Sequence, residues 1–499
     1  AMAQVYVADG IADRTAQFDY FFRSTPDYGT HQAGYCVSAG LGPFLSWLDS
    51  LSIDGAHIEA LRSMTNPVGT PVFSETFLHW LSMPDRFAGI EVRAVAEGRV
   101  VHPHEPIVSV TGPLAVSQLL ETSLLNHFNY PTLIATKAAR VVRSARGGTV
   151  LEFGMRRGPA TGVNEGIRAA LIGGCASTSN VEAAIALGRQ PIGTHAHSLV
   201  QVFMALGEGE LGAFRAYAEL YPDDCLLLVD TINTIGSGIP NAVTVFDELR
   251  SKGHEPIGIR LDSGDLAHLA VRASAMLDDA GFTEPVIVLS SSLDEITIWQ
   301  ILNQITIEAP QYDQDPNRVM GRLVYGAGTR MATSEGAPSL DGVYKLVAIQ
   351  DDSVDSGDDG AWEPAIKLSD TPAKVVNPGR KKMWRIYSAR GTATADLLAL
   401  ANEELDDPLV LHHPSTPGVS RTLVADQIAG REELLEPVDP WAAVDDHEVV
   451  LAARERRIGD LARLDIGVRR IVNPHVYHVS LSDGAWRLKH DVMARMAEA

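Results

Sequence analysis

The sequence predicts an α/β fold: an irregular parallel α/β barrel in the middle of the chain, with an α+β domain formed by the N- and C-terminal segments. Three observations carry this. Between residues 149 and 330 short apolar runs alternate with helical patterns, the sign of parallel strand–helix–strand units. Six of those runs end in polar, chemically capable clusters, and short strands with functional carboxyl ends are how a parallel barrel builds a site. Outside that region the pattern turns to apolar–polar alternation punctuated by Gly and Pro, so the two ends read as strands that could pair with each other.

Residues 16–24 and 90–111 alternate in this way, with a hairpin turn at Glu97-Gly98. Residues 40–62 and 74–83 read as helices, and 115–128 and 132–146 have helical periodicity. The six central runs are Val150-Leu-Glu-Phe-Gly-Met-Arg156, Pro191-Ile-Gly-Thr-His-Ala-His197, Cys225-Leu-Leu-Leu-Val-Asp230, Pro256-Ile-Gly-Ile-Arg-Leu-Asp262, Pro285-Val-Ile-Val-Leu-Ser290 and Arg322-Leu-Val-Tyr-Gly-Ala-Gly-Thr329. Between them, 241–252 and 266–280 are helices stopped by Gly253 and Gly281. Six runs are fewer than the eight of a regular barrel, so the barrel is irregular or completed by less obvious strands. Beyond residue 340, strand-like pieces at 342–349 and 362–368 flank an acidic loop, 351–360, and 377–387 reads as a turn entering a strand. Residues 445–463 and 487–498 read as helices. The expected division is 1–115 and 336–440 for the end-built domain, 116–335 for the barrel and 441–499 for a helical extension.

Composition bounds the function. At 499 residues the chain is long enough for two or three domains, and 45% hydrophobic with 21% charged residues is an ordinary globular balance. A net charge of −22 argues against general affinity for nucleic acid or an anionic membrane. An anionic substrate therefore needs a local concentration of Arg and Lys. Cys36, Cys175 and Cys225 are far apart with no Cys-x-x-Cys pair, so neither a zinc site nor a disulfide framework is expected. No apolar run approaches the roughly 20 residues of a membrane-spanning helix, and no secretory signal is visible. The class expected is a cytoplasmic enzyme.

The strand ends carry the candidate chemistry. His195 and His197, in Gly193-Thr-His-Ala-His-Ser198, are two apart and in a strand would share one face. Such a pair can hold metal, act as nucleophile or acid–base, or simply bond the backbone; with no third ligand evident, metal is the least favoured. In Arg260-Leu-Asp-Ser-Gly-Asp265, Arg260 can neutralise an anion and Asp262 can hold a sugar hydroxyl, a metal ion or a base nitrogen. The same pair could also be an ordinary ion pair closing a barrel end. In Gly326-Ala-Gly-Thr329 small residues let backbone N–H groups approach a phosphate and Thr329 adds a hydroxyl, although a plain turn reads the same way. Phe153 can stack on a planar ring and Arg156 and Arg157 can hold a carboxylate or phosphate, or they are a core aromatic with solvated cations. The run Gly379-Arg-Lys-Lys382 reads as a solvated turn.

Taken in order, Glu152-Phe-Gly-x-Arg-Arg157, Gly173-Gly174, Ser177-Thr-Ser-Asn-Val181, Gly193-Thr-x-Ala-His-Ser198, Val229-Asp-Thr231, Arg260-Leu-Asp-Ser-Gly-Asp-Leu266, Gly328-Thr329, Gly342-Val-Tyr-Lys-Leu346 and Lys367-Leu-Ser369 resemble the nicotinate phosphoribosyltransferase family. The resemblance spans most of the chain and is weakest after about residue 400. It implies the type II phosphoribosyltransferase fold, in which the domain beside the barrel is a sandwich. It implies the joining of nicotinate to 5-phosphoribosyl 1-pyrophosphate (PRPP), giving nicotinate mononucleotide and pyrophosphate for NAD synthesis. It further implies coupling to ATP hydrolysis and a homodimer with shared active sites. By motif, His197 corresponds to the histidine that ATP phosphorylates, Thr194 and Arg260 to nicotinate-binding residues, and Phe153 to a ring-stacking one. Thr329 with Gly328 corresponds to a 5′-phosphate contact, and Asp262 to a carboxylate near ribose and base. The leaving pyrophosphate calls for Mg²⁺ and cations, and Arg156 and Arg157 suit an acid better than an amide. Nicotinamide or another base, or an impaired homologue, are the alternatives. The family's Asp-x-Tyr-Gln segment, whose Tyr is expected to reach the base from a neighbouring subunit, does not precede Met2-Ala-Gln here. In addition, Ser290-Ser-Ser-Leu-Asp294 and Val229-Asp-Thr-Ile-Asn233 depart from the usual motifs.

Overall fold

The structure, a computed structural model, describes residues 1–160, 162–351, 361–368 and 375–498. Most of the acidic loop, and Ser369 of the Lys367–Ser369 motif, lie outside the described residues. The chain divides into two compact units, Ala1–Leu133 with Ser339–Ala499, and Ile134–Pro338.

The second unit holds a five-stranded sheet in the order Thr149–Glu152, Leu323–Ala327, Val286–Ser290, Gly258–Leu261, Leu226–Leu228, and every neighbouring pair is parallel. Leu226, Leu227 and Leu228 are all buried, as continuous apolar runs in a parallel sheet should be. Helices Val163–Ile172, Ile239–Ser251, Leu266–Asp279 and Glu295–Glu308 alternate with the strands. Their ends follow local chemistry: the Asp265 carboxylate accepts from the His268 N–H at 3.1 Å and Asp294 from the Thr297 N–H at 2.7 Å, each satisfying a first-turn donor. Gly253 and Gly281 follow two of the helices at φ 91° and 80°, as expected.

The sixth expected strand is absent. Residues 191–196 are irregular and His197 opens helix His197–Ala205. Pro191 has no N–H to give a ladder, and the Ile192 N–H bonds to the Thr178 carbonyl at 2.9 Å. At the open edge the Leu228 N–H, which a sixth strand would have taken, donates instead to His195 Nε2 at 3.0 Å. An imidazole thus does the work of a backbone carbonyl, and the two histidines do not share a strand face.

The first unit is built from two six-stranded sheets. One runs Ala361–Pro364, Gly342–Asp351, Thr15–Phe22, Val108–Pro113, Glu91–Val95, Leu435–Val438, so strands from both ends of the sequence interleave. The other runs Ser420–Leu423, Leu409–His412, Val479–Leu481, Ala393–Leu400, Lys381–Ser388, Ile428–Glu433. Phe18, Tyr20, Val92, Val110, Met383 and Leu398 belong to one core cluster that draws on both sheets. Lys381 is buried and its ammonium pairs with Asp19 Oδ2 at 3.0 Å, so the Gly379–Lys382 run is not the solvated turn expected.

The helical patterns at 115–128 and 132–146 prove to be Leu114–Leu119 and a single longer helix, Glu121–Ser144, which continues through Pro131. Proline lacks the N–H that would bond the carbonyl four residues back, at His127. Gly40 packs against that carbonyl at φ 110°, where a Cβ would lie 1.8 Å from the oxygen.

Candidate functional site

The carboxyl ends of the parallel strands open into a cavity of about 310 Å³. Phe153, Arg156, Thr194, His197, Arg260 and Asp262 line it. Of the other residues singled out in the sequence, Arg157, Gly328 and Thr329 lie outside that lining. Thr329 is exposed and opens a short helix, Thr329–Ala332, directly after the Leu323–Ala327 strand. Gly328 sits against the Phe153 backbone, where a Cβ would be 3.4 Å from the carbonyl oxygen.

Arg260 organises one wall. Residues two apart on a strand face the same way, so the guanidinium and the Asp262 carboxylate leave the Gly258–Leu261 strand together. Arg260 Nε donates to Ser290 Oγ at 2.9 Å and one terminal nitrogen donates to Thr194 Oγ1 at 3.2 Å. The other lies 3.2 Å from Asp262 Oδ1, which also accepts from the Ser290 hydroxyl at 2.5 Å. The guanidinium stands 5.8 Å from the centroid of the Phe153 ring, within cation–π range. Phe153 holds its place because Gly326, on the adjacent strand, has no side chain: a Cβ there would come within 2.5 Å of the ring. The result is a fixed cation beside an aromatic face, suited to a planar anion.

His197 and Asp230 form the second element. His197 Nε2 is 3.1 Å from Asp230 Oδ1. The other Asp230 oxygen accepts from the Asp262 N–H at 2.9 Å and the Ser263 hydroxyl at 2.6 Å. The Asp230 side chain is 1% exposed and that of His197 38%, so a buried acceptor orients an accessible imidazole. With Nε2–H donating to the carboxylate, the lone pair of the neutral ring lies on Nδ1. That arrangement makes Nδ1 a nucleophile or base.

His195 has a different part. Its Nε2 is occupied by the Leu228 N–H, and Tyr217 lies 5.0 Å away ring to ring. Burial, with the charge of Arg260 and the neighbouring His197 adding to it, lowers its pKa to about 4, so the ring is neutral and structural at pH 7. Glu152 at the base of the site is likewise pushed up by burial while its carboxylate accepts from the Thr178 hydroxyl and the Gly154 N–H. Arg156 and Arg157 are exposed, and neither guanidinium has an ion-pair or hydrogen-bond partner among the described residues. The described residues contain no cluster of three or more His, Cys, Asp or Glu able to cage a metal ion.

Two site residues, Asp230 and Ser290, have no role assigned from the sequence. Both end apolar runs and fall in motifs compared with the family's, but neither pattern names their partners.

Parallel strands whose carboxyl ends gather a cation, a carboxylate, an oriented imidazole and an aromatic face around one cavity define an α/β-barrel enzyme. Family models for nicotinate phosphoribosyltransferase match the chain almost end to end: the N-terminal domain over residues 1–129, the family core over 149–401 and the C-terminal domain over 380–489. The nicotinate phosphoribosyltransferase of Bacillus subtilis is 36% identical, over 100% of this chain and 95% of that protein. The human one is 32% identical, over 81% of this chain and 78% of its own. The crystal structure of human nicotinic acid phosphoribosyltransferase superposes with a TM-score of 0.77 at 28% identity, covering 98% of both chains. The chain belongs to the nicotinate phosphoribosyltransferase family and is a transferase. No described helix is long and apolar enough to cross a membrane.

Proposed function

We propose that the protein joins nicotinate to PRPP, releasing nicotinate mononucleotide and pyrophosphate for NAD salvage, and that ATP drives the reaction through a phosphohistidine at His197. The observation that carries the reading is the Arg260 guanidinium, held by Ser290, Thr194 and Asp262 beside the Phe153 ring. A pyridine ring bearing a carboxylate fits that pair: the ring on Phe153, the carboxylate on Arg260 and the Thr194 hydroxyl. Arg156 at the cavity edge adds positive charge, which favours the acid over the amide.

Displacement at the anomeric carbon passes through an oxocarbenium-like state. Asp262 lines the same cavity and offers negative charge where that state develops. The Asp262 carboxylate, whose Oδ2 takes no part in the Arg260 and Ser290 contacts, would hold a Mg²⁺ ion, for which one carboxylate with substrate phosphates is a usual environment. Bound there, the ion would neutralise charge on the leaving pyrophosphate. Gly328 and Thr329 would hold the 5′-phosphate. For the ATP step, His197 Nδ1 attacks the γ-phosphorus; the N–P bond forms as the bond to the β–γ bridging oxygen breaks, and ADP leaves. Asp230 stabilises the imidazolium so produced. We propose a homodimer, in line with the family resemblance.

Three assays test this. Nicotinate mononucleotide should form from nicotinate and PRPP, faster with ATP; γ-labelled ATP should leave acid-labile, base-stable phosphate on His197; and nicotinamide should compete poorly. No product and no label would overturn the reading, and equal use of nicotinamide would replace it by a broader base specificity.

A further inference from the structure

The Gly379–Lys382 run plays no part in the reaction above. In the first unit it borders a second cavity, of about 460 Å³. Arg380 and Lys382 come from this run, Arg93 from the Glu91–Val95 strand, Trp362 from Ala361–Pro364, and Leu400 and Asn402 from the end of Ala393–Leu400 and just beyond it. No carboxylate is among the described residues lining the cavity. This is a chain with 63 acidic and 41 basic residues, so a wall that carries Arg380, Lys382 and a Glu433-paired Arg93, with no acid among its described lining residues, runs against its general balance.

Some of the donors are also unspent. The Arg380 guanidinium lies 4.6 Å from the Trp362 ring centroid, and its Nε is buried without an acceptor among the described residues. Arg93 Nε is in the same condition, although its terminal nitrogen reaches Glu433 at 2.5 Å and the Leu435 carbonyl at 2.7 Å. Lys382 is half-buried and its ammonium has no partner among the described residues. Buried donors without acceptors cost stability until something supplies the acceptors.

We propose that this cavity binds a phosphate-bearing small molecule. Phosphate oxygens would accept from the terminal nitrogens of Arg380 and the ammonium of Lys382, and Trp362 and Leu400 would face any apolar or planar remainder. Free phosphate, pyrophosphate and a nucleotide share this chemistry. The site shares no lining residue with the Arg260 cavity, and it does not depend on the reaction proposed for that cavity.

Calorimetric titration of the full chain tests the proposal, with inorganic phosphate, pyrophosphate and ATP as probes and adenosine as the phosphate-free control. Wild-type protein should show one more set of sites for at least one phosphate probe than the R380Q/K382Q double variant. Loss of two charge-assisted contacts should weaken that set by roughly tenfold or more. K382Q alone loses no partner among the described residues, so it should fold as wild type and weaken the same set; it decides the matter if the double variant fails to fold. Unchanged stoichiometry and affinity in K382Q would overturn the proposal, as would adenosine binding as well as ATP. A tenfold rise in the KM for PRPP would overturn it too, because the cations would then belong to the substrate site.

Discussion

Replacing Asp230 by Asn isolates the oriented histidine. The Asp230 carboxylate accepts three hydrogen bonds, from His197 at 3.1 Å, the Asp262 N–H at 2.9 Å and the Ser263 hydroxyl at 2.6 Å. Asparagine has the same shape, but one of its two acceptor oxygens becomes an NH₂ donor. The 262–263 turn presents two donors and His197 one, so the remaining oxygen should face the turn and the NH₂ should face His197. His197 must then accept at Nε2, which moves its proton to Nδ1 and removes the nucleophilic lone pair. Losing a hydrogen bond to a charged group costs about 1.5–3 kcal/mol, or roughly ten- to hundredfold in rate. Trapping a catalytic histidine in the wrong tautomer reaches about 10⁴-fold in the serine-protease triad. Phosphohistidine formation from γ-labelled ATP should therefore fall by roughly 10²- to 10⁴-fold in D230N. The thermal midpoint should drop by only a few degrees. Labelling within threefold of wild type in a folded D230N protein would refute the claim that Asp230 sets the tautomer.

S290A removes the hydroxyl that receives Arg260 Nε and donates to Asp262; the KM for nicotinate should rise about tenfold with a smaller change in kcat, read from initial rates, for roughly 1–1.5 kcal/mol of lost positioning. In G326A the added methyl must displace the Phe153 ring, so nicotinate binding should weaken and unfolding free energy fall by about 1–3 kcal/mol, measured by calorimetry and urea titration. His102 is fully buried, stacks on Tyr477 with centroids 3.9 Å apart, and has its pKa lowered to about 3, mainly by burial. Its folded pKa lies below the unfolded value, so the unfolded chain binds the proton and stability is lost as pH falls from about 6.5 toward 3. H102F abolishes that linkage; its unfolding free energy relative to wild type should improve by about 1.4 kcal/mol per pH unit between roughly pH 6 and 4. A pH-independent difference would refute the neutral buried state.

What could be read from the sequence was mostly local. The Arg260–Asp262 pair was visible because two residues on one strand share a face, and the helix stops at Gly253 and Gly281 because a positive φ follows from one residue type. Asp230 and Ser290 stayed without roles because their partners lie 33 and 30 residues away on other elements, and strand order is not written in any short window. The 191–197 segment reads as a short apolar run with a polar end, yet its place at the sheet edge is settled by a side-chain acceptor, His195, which no backbone pattern encodes. The charged 379–382 run looked solvated because the partner of Lys381 is Asp19, 381 − 19 = 362 residues earlier.

The interleaved sheet of the first unit has a consequence for how the protein is made. The Thr15–Phe22 strand needs Gly342–Asp351 on one side, and 342 − 22 = 320 residues separate them. At roughly 5–20 residues per second, a ribosome takes on the order of tens of seconds to supply the missing neighbour. Meanwhile Ile134–Pro338, contiguous in sequence, has every strand of its own sheet once its last residue emerges. During that wait the Thr15–Phe22 strand can pair with Val108–Pro113 but keeps its other edge bare, and a bare edge is a template for the wrong chain. Until the final third of the chain arrives, the oldest segment of the nascent protein therefore presents an edge open to wrong pairing.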